Sequence, residues 1–553
     1  MPTLTLSKSD FDKLLGKKTN RDELEELLEY VKGEIDSLNQ DELKVDCKET
    51  NRPDLWSTEG IIRELKARTG KEKGIKKYAV EKGDIKIYVD KNLEKVRPKS
   101  VCAVVKGIKI TEELLIQLIQ IQEKVCEGFG RKRKEAAMGL YDLDVMTPPL
   151  YYKGFKDNEI EFVPLDYKVA MRPSEILLQH DKGKAYAHLL KDVPVYPIII
   201  DSKNVVASMP PIINSNITGK VSEKTKNLFI EVTGSKQDSI ETALEVMCMA
   251  LADRGGKIYS CEVIYEKETI ISPKFLTNKI TLTKSEIEKV TGLKLSNDEI
   301  KDLLEKARYD VQVKGYDFIC EYPAYRLDIF QAVDVIEDLL ISYGFNKIEP
   351  QKIVMNVVGS ERADKKYEEF VRAACVGLGL QEIQTFNLTS KEIQCEKMNL
   401  PNEIDSFVEI SNPVSINYQI MRKRLSPSLL SFLSKNKNQE FPQNIFEVGN
   451  CLELNEKAEN GVNQKTNLCV ALTHSNVNFT EIKSIFVTLC EYLDLKYNFE
   501  KITEKEKSNY SFLGQNSIKI KVNGKTGYMG EIDKKVEENF GLKKPVYLFE
   551  FEL

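Results

Sequence analysis

Tyr325-Arg-Leu-Asp-Ile-Phe-Gln-Ala-Val-Asp-Val-Ile-Glu-Asp-Leu-Leu-Ile-Ser-Tyr-Gly344 places acids where no core needs them. At about 100° per residue, Asp334, Glu337 and Asp338 fall within roughly a 100° arc of one helix. Val333, Ile336, Leu340 and Tyr343 fall on another face, the one a packed helix would bury. Acids at i, i+3 and i+4 repel one another, and no Lys or Arg is interleaved to relieve them. Asp328 lies just upstream beside Arg326, so four carboxylates could converge. Such oxygen ligands hold hard cations like Mg²⁺, often with several waters kept. The alternative is a solvated acidic face.

Working outward, this stretch belongs to the second copy of a divergent internal repeat. Leu6-Ser-Lys-Ser-Asp-Phe-Asp-Lys-Leu-Leu-Gly16 aligns without gaps to Leu282-Thr-Lys-Ser-Glu-Ile-Glu-Lys-Val-Thr-Gly292, and Asp22 to Glu29 continues against Asp298 to Glu305. A capping box opens the first helix of each copy, Ser7 with Asp10 and Thr283 with Glu286. After a variable segment, Asn51-Arg-Pro-Asp-Leu-Trp matches Tyr325-Arg-Leu-Asp-Ile-Phe, so Arg52 and Asp54 correspond to Arg326 and Asp328. Asp334 and Glu337 face Gly60 and Arg63 in the first copy. The scaffold thus folds without the full acid set, which favours a metal or partner role for it in the second copy.

Between the copies, Val195-Tyr-Pro-Ile-Ile-Ile-Asp201 reads as a buried strand turning at Ser202-Lys-Asn204 into Val205-Val-Ala-Ser208. Leu228 to Gly234 is a further strand, Ser239 to Asp253 a helix stopped at Gly255-Gly256, and Ile258 to Tyr265 another strand. After Pro350, helices are expected over Ala363 to Leu378 and Ser426 to Leu433, with strands at Glu382 to Asn387, Ile445 to Gly449 and Tyr547 to Leu553. The expected domains are 1–85, 86–270, 271–349 and 350–553.

A chain of 553 residues exceeds one core and suggests about three to five domains. A net charge of −5 and a pI of 5.8 exclude a globally basic nucleic-acid binder but leave room for a local patch. Arg131-Lys-Arg-Lys134, after Gly128-Phe-Gly130, is the one dense basic cluster, and a basic loop beside an aromatic suits phosphate contact and base stacking. A solvated surface loop is the competing reading. Eleven cysteines without a Cys-x-x-Cys pair read as reduced thiols. With no apolar run of membrane-spanning length and no signal pattern at the start, the expected compartment is the cytoplasm. Three histidines, His180, His188 and His474, are too few and too poorly partnered for zinc or Ser-His-Asp hydrolysis, and both glycine-rich phosphate loops are absent.

These motifs in this order resemble the beta-subunit family of phenylalanine–tRNA ligases, in its archaeal and eukaryotic form. The carriers are Asn51-Arg-Pro-Asp-Leu with Glu59-Gly60, Met138-Gly-Leu-Tyr-Asp-Leu-Asp144, Met209-Pro-Pro-Ile-Ile-Asn-Ser215 and Phe229-Ile-Glu-Val-Thr-Gly234. Arg326-Leu-Asp-Ile, Asp334-Val-Ile-Glu-Asp338, Ile410-Ser-Asn-Pro413 and Met421-Arg422 complete the set. The resemblance implies a multidomain α/β and α+β chain. Two divergent helical repeat units would flank a central α/β editing-like domain, followed by a class II synthetase-like antiparallel core without catalytic motifs. It implies an (αβ)₂ heterotetramer acting on tRNA(Phe), with ATP and phenylalanine bound by the alpha subunit. It also implies Mg²⁺ at Asp328, Asp334, Glu337 and Asp338, shared with that subunit.

The middle unit would hydrolyse tyrosine wrongly attached to the tRNA. An apolar phenylalanine pocket cannot strongly exclude one added hydroxyl, so a second site that bonds that hydroxyl has a physical purpose. The matching positions are Ser208, Glu231 and Thr233, with Ile199 on the adjoining strand; Glu231 stands where Asp is expected, one methylene longer. No nucleophile–base pair accompanies them. Arg422 and Glu447 read as packing or interface residues rather than remnants of an ATP site. A stand-alone tRNA deacylase and a non-catalytic tRNA- or protein-binding module are the competing readings of the whole chain.

Overall fold

In the computed structural model, which describes residues 2–553, the two aligned stretches fold into the same succession of elements. Each begins with a strand (Thr3–Ser7; Thr277–Thr283) and two helices (Lys8–Leu15 and Arg21–Glu29; Lys284–Thr291 and Asn297–Lys306). Two further strands (Gly33–Asn39 and Glu42–Cys47; Asp310–Lys314 and Asp317–Pro323) and a last helix (Thr58–Arg68; Ala332–Tyr343) follow. In both, the last strand lies between the other two in an antiparallel sheet of three. The repeat units, expected as helical, each carry a small sheet beside their helices. Strands such as Asp310–Lys314 are short and partly exposed, so they lack the apolar run that would announce them.

The helix ends follow the sequence closely. Ser7 accepts a hydrogen bond from the Asp10 amide, and Thr283 and Glu286 form a reciprocal capping box. Gly16 and Gly292 close the equivalent helices at φ +79° and +71°, where a side chain would be strained.

The central part is an eleven-stranded mixed sheet. Its middle strands, Lys99–Lys106 and Asn227–Gly234, are buried along nearly their whole length and lie against the helix Gln237–Asp253, itself buried on most sides. Val80–Glu81 and Thr269–Ser272 both pair with Lys257–Ile264, so the sheet reaches slightly beyond the expected 86–270 on each side. Residues up to Gln351 form one compact unit. Charged residues join its parts: Arg254 donates to Asp10 and Glu59 at 2.5 Å, and Arg63 to Asp253 at 2.9 Å.

The second unit runs from Lys352 to Leu553. Its seven-stranded sheet is antiparallel except at one edge, where Gln381–Glu382 runs parallel to Gln443–Leu454. Of the expected strand Glu382 to Asn387, only Glu382 pairs there. Helices Ala363–Gly377 and Phe479–Tyr492 share one apolar core with Phe446, Val448 and Val470; Ser426–Lys435 and Lys534–Phe540 share another with Ile445, Cys469 and Ala471. Alternate residues of the same strands feed the two cores, as a sheet covered on both faces requires. Among the described residues no helix is long and apolar enough to cross a membrane, and all eleven cysteines are buried.

Candidate functional site

The register of the central sheet gathers a small polar group inside it. Glu231 pairs with Gly139 on one side and Cys102 on the other, and Ser208 pairs with Ile199 across the hairpin Tyr196–Ile200 and Val206–Met209. That hairpin turns at Asn204 (φ 61°), with the Asp201 carboxylate accepting from the Lys203 and Val205 amides at 2.9 Å. Because Gly139 has no side chain, the Tyr141 ring folds back over it. A Cβ at position 139 would lie 2.2 Å from the Tyr141 hydroxyl.

That hydroxyl lies 2.7 Å from Ser208 Oγ and 2.9 Å from Glu231 Oε2. Its single proton is placed to be shared between these two acceptors, Ser208 Oγ and the Glu231 carboxylate. Glu231 is 2% exposed, and its second oxygen, Oε1, has no hydrogen-bond partner. Burial pushes the Glu231 carboxyl up to about 7, against the pull of Tyr141, Thr233 and Arg97. A cavity of about 410 Å³ opens beside the group, walled by Met138, Leu140, Tyr141, Ser208, Pro210, Pro211, Ile212, Asn214 and Glu231 among others.

Of the four residues expected here, Ser208 and Glu231 line this cavity, whereas Ile199 and Thr233 are absent from its wall. Ile199 packs in the core with Tyr141 and Phe229. Thr233 receives the Arg97 guanidinium at 2.8 Å and is fully buried. Tyr141 was not singled out from the sequence. The available signal was Gly139, a glycine inside a strand two residues before a tyrosine, which marks a close approach. His180 also lines the cavity, but both ring nitrogens are engaged, by the Leu165 carbonyl and the Lys182 amide.

The basic loop divides. Arg131, Lys132 and Arg133 all adopt left-handed backbone (φ 50°, 53° and 65°), a costly sequence of conformations for residues with side chains. Arg131, Lys132 and Lys134 are exposed. Arg133 instead points inward, donating to the carbonyls of Pro211 (3.1 Å) and Ile212 (2.9 Å) and stacking on Tyr186. It braces the cavity wall and is no free surface cation, which corrects its grouping with the other three.

The four acids do not gather. Asp338 is buried, receiving Arg68 and Arg326 at 2.8 Å each and the Tyr309 hydroxyl at 2.7 Å, and the two guanidiniums hold its carboxyl well below the usual range against its burial. Asp328 is paired with Arg326 at 2.6 Å. Asp334 accepts the Phe330 and Gln331 amides at the helix start, and Glu337, half exposed, meets Lys32 at 2.7 Å. The expected buried face is rotated accordingly: Val335, Ile336 and Leu339 are buried while Val333 is 46% exposed. Among the described residues no group of three or more His, Cys, Asp or Glu side chains is placed to hold a metal ion. The set fits an ion-pair and capping network, and it does not fit a Mg²⁺ cage within this chain.

The repeat explains this network. The register that equates Arg52 with Arg326 and Asp54 with Asp328 also sets Glu64 opposite Asp338. Arg52 meets Asp54 at 2.8 Å and Glu64 at 3.6 Å, just as Arg326 meets Asp328 and Asp338. Arg68 crosses between the copies, donating to Glu64 and Asp338 at 2.8 Å each and to Ser342 at 2.7 Å. In the second unit Arg422 and Glu447 form a fully buried pair at 2.6 Å, with Glu447 also taking the Thr385 amide and hydroxyl, as packing residues do.

Comparison with known proteins agrees along the chain. Residues 348–553 match the model described as phenylalanyl tRNA synthetase beta chain CLM domain, and residues 280–345 match the tRNA synthetase B5 domain. Proteins named phenylalanine–tRNA ligase beta subunit are 43% identical in Pyrococcus horikoshii and 44% in Pyrococcus furiosus, each alignment covering 100% of this chain and 99% of the relative. The Archaeoglobus fulgidus relative is 37% identical over 100% of this chain and 98% of its own length. A crystal structure of an N-terminal fragment of the Pyrococcus horikoshii beta subunit superposes with a TM-score of 0.61 at 45% identity, over 62% of this chain and 100% of that fragment. The chain belongs to the beta subunits of phenylalanine–tRNA ligases.

Proposed function

We propose that this beta subunit works with an alpha subunit, in an (αβ)₂ assembly, to attach phenylalanine to its tRNA, and that it removes tyrosine attached by mistake. ATP and phenylalanine are used on the alpha subunit. The seven-stranded sheet of 352–553 is read as a class II synthetase-like core. Its one deeply buried ion pair, Arg422–Glu447, is consumed in packing and offers no reacting group.

The observation that carries the editing reading is the unpartnered Oε1 of buried Glu231, on the wall of a cavity large enough for an aromatic side chain. A tyrosine hydroxyl donates to that oxygen. Phenylalanine leaves it unpaired, at the cost of a lost hydrogen bond to a charged group, about 1.5–3 kcal/mol. The cavity therefore selects the wrong product. Water attacks the ester carbonyl, the bond to the ribose oxygen breaks, and free tyrosine and tRNA leave. With no nucleophile–base pair beside the carboxylate, the tRNA's terminal hydroxyls are assigned the orienting of that water. Arg131, Lys132 and Lys134 are assigned to phosphate contact.

Co-expression with the alpha partner tests the division of labour. Phenylalanine charging is expected from the co-purified complex and not from this chain alone. Charging by the lone chain would contradict the reading. Tyr-tRNA hydrolysis by the lone chain, with no gain on adding the partner, would favour the stand-alone deacylase.

A further inference from the structure

Ser208 and Glu231, two of the four residues expected at the hydroxyl-reading site, are already joined by a phenol of the chain itself. Two arrangements explain this. Tyr141 either occupies the substrate's place and must leave, or it is a fixed part of the reader. Its surroundings decide. Tyr141 is 0% exposed and packs among Cys102, Val104, Ile199 and Phe229, its ring 5.6 Å from that of Phe229. It also fills the space over Gly139. Moving it would empty a core position, which is strongly destabilising for an aromatic side chain. The cavity of about 410 Å³ lies beside the ring without its having moved.

We propose that Tyr141 is a positioning residue of the hydroxyl-reading site, holding Glu231 by Oε2 while the unpartnered Oε1 is left for the substrate's phenol. Ser208 then acts through Tyr141: its Oγ and Glu231 Oε2 both accept from the Tyr141 hydroxyl, so the two bonds compete for one proton and are coupled. Discrimination between tyrosine and phenylalanine becomes a property of the three residues together. This inference rests on the editing reading above.

The test uses the assembled alpha–beta complex and preformed Tyr-tRNA and Phe-tRNA. Deacylation of both is measured against pH for wild type, Tyr141→Phe, Ser208→Ala and Glu231→Ala, with circular dichroism checking that each complex folds. Tyr141→Phe removes one hydroxyl and keeps the ring. It is expected to lower the Tyr/Phe hydrolysis ratio roughly tenfold. It should also move the acid limb of the Tyr-tRNA profile to higher pH, because a donor to the Glu231 carboxylate is gone. A purely structural tyrosine would leave that limb in place. Faster Tyr-tRNA hydrolysis in Tyr141→Phe would show that the side chain obstructs the substrate and would overturn the proposal. An unchanged ratio and profile, with hydrolysis still dependent on Glu231, would overturn it alone. Indifference to Glu231→Ala would overturn the editing reading and this inference with it.

Discussion

Glu231 is a carboxylate held where burial favours its protonated form, and this has a consequence for stability. Its folded value, about 7, lies above the ordinary 4.5, so the folded chain binds the proton more tightly than the unfolded one. The contribution is full below about pH 4.5 and is lost as pH rises through about 7, an order of ~3 kcal/mol for such a shift. Glu231→Gln removes the titration. Its stability relative to wild type, from urea midpoints, should therefore rise between pH 5 and pH 8; a constant difference would contradict the shift. Ser208 and Glu231 were legible as site residues only through the family motif, since a serine at a strand end and a buried acid carry no signature of their own. For Tyr141 the sequence offered only Gly139 as a mark of close approach; its contacts to Ser208 and Glu231 depend on strand order, a long-range fact. The same holds for Arg133, whose inward turn is set by three left-handed residues that a run of cations does not announce.

The final helices of the two repeats, Thr58–Arg68 and Ala332–Tyr343, are joined through Arg68. Arg68→Ala would leave Glu64 and Asp338 buried with less counter-charge, a change that typically costs about 3–5 kcal/mol. Glu337→Ala removes only a half-exposed pair with Lys32, worth under about 1 kcal/mol. Thermal melting should separate the two variants clearly, and millimolar Mg²⁺ should leave the melting temperature of the isolated chain unchanged. Equal effects, or a marked rise with Mg²⁺, would restore the acid cluster as a metal site. At this scale the sequence was informative where signals are local. The capping residues at Ser7 and Thr283, the helix stop near Gly255 and the apolar strand Leu228 to Gly234 all lie where their chemistry places them. Helical periodicity locates the acids on a face but not the arginines that come to meet them. Arg68 is 270 residues from Asp338.

For the whole molecule, the claim is that one chain joins fidelity to assembly while the charging chemistry belongs to its partner. The exposed cations Arg131, Lys132 and Lys134 are the ones proposed to meet the tRNA, whereas Arg133 points inward. Replacing the three with Ala should flatten the salt dependence of tRNA binding by up to about 2–3 units of log–log slope. Arg133→Ala should instead loosen the Pro210–Ile212 wall and impair hydrolysis. An unaltered slope in the triple variant would remove the loop from the tRNA interface. The most direct trial of the account is the rate at which the co-purified alpha–beta complex hydrolyses preformed Tyr-tRNA, wild type against Glu231→Ala. The account predicts at least a tenfold loss on removing the carboxylate, in line with one charged hydrogen bond. Equal rates in the two complexes would contradict it.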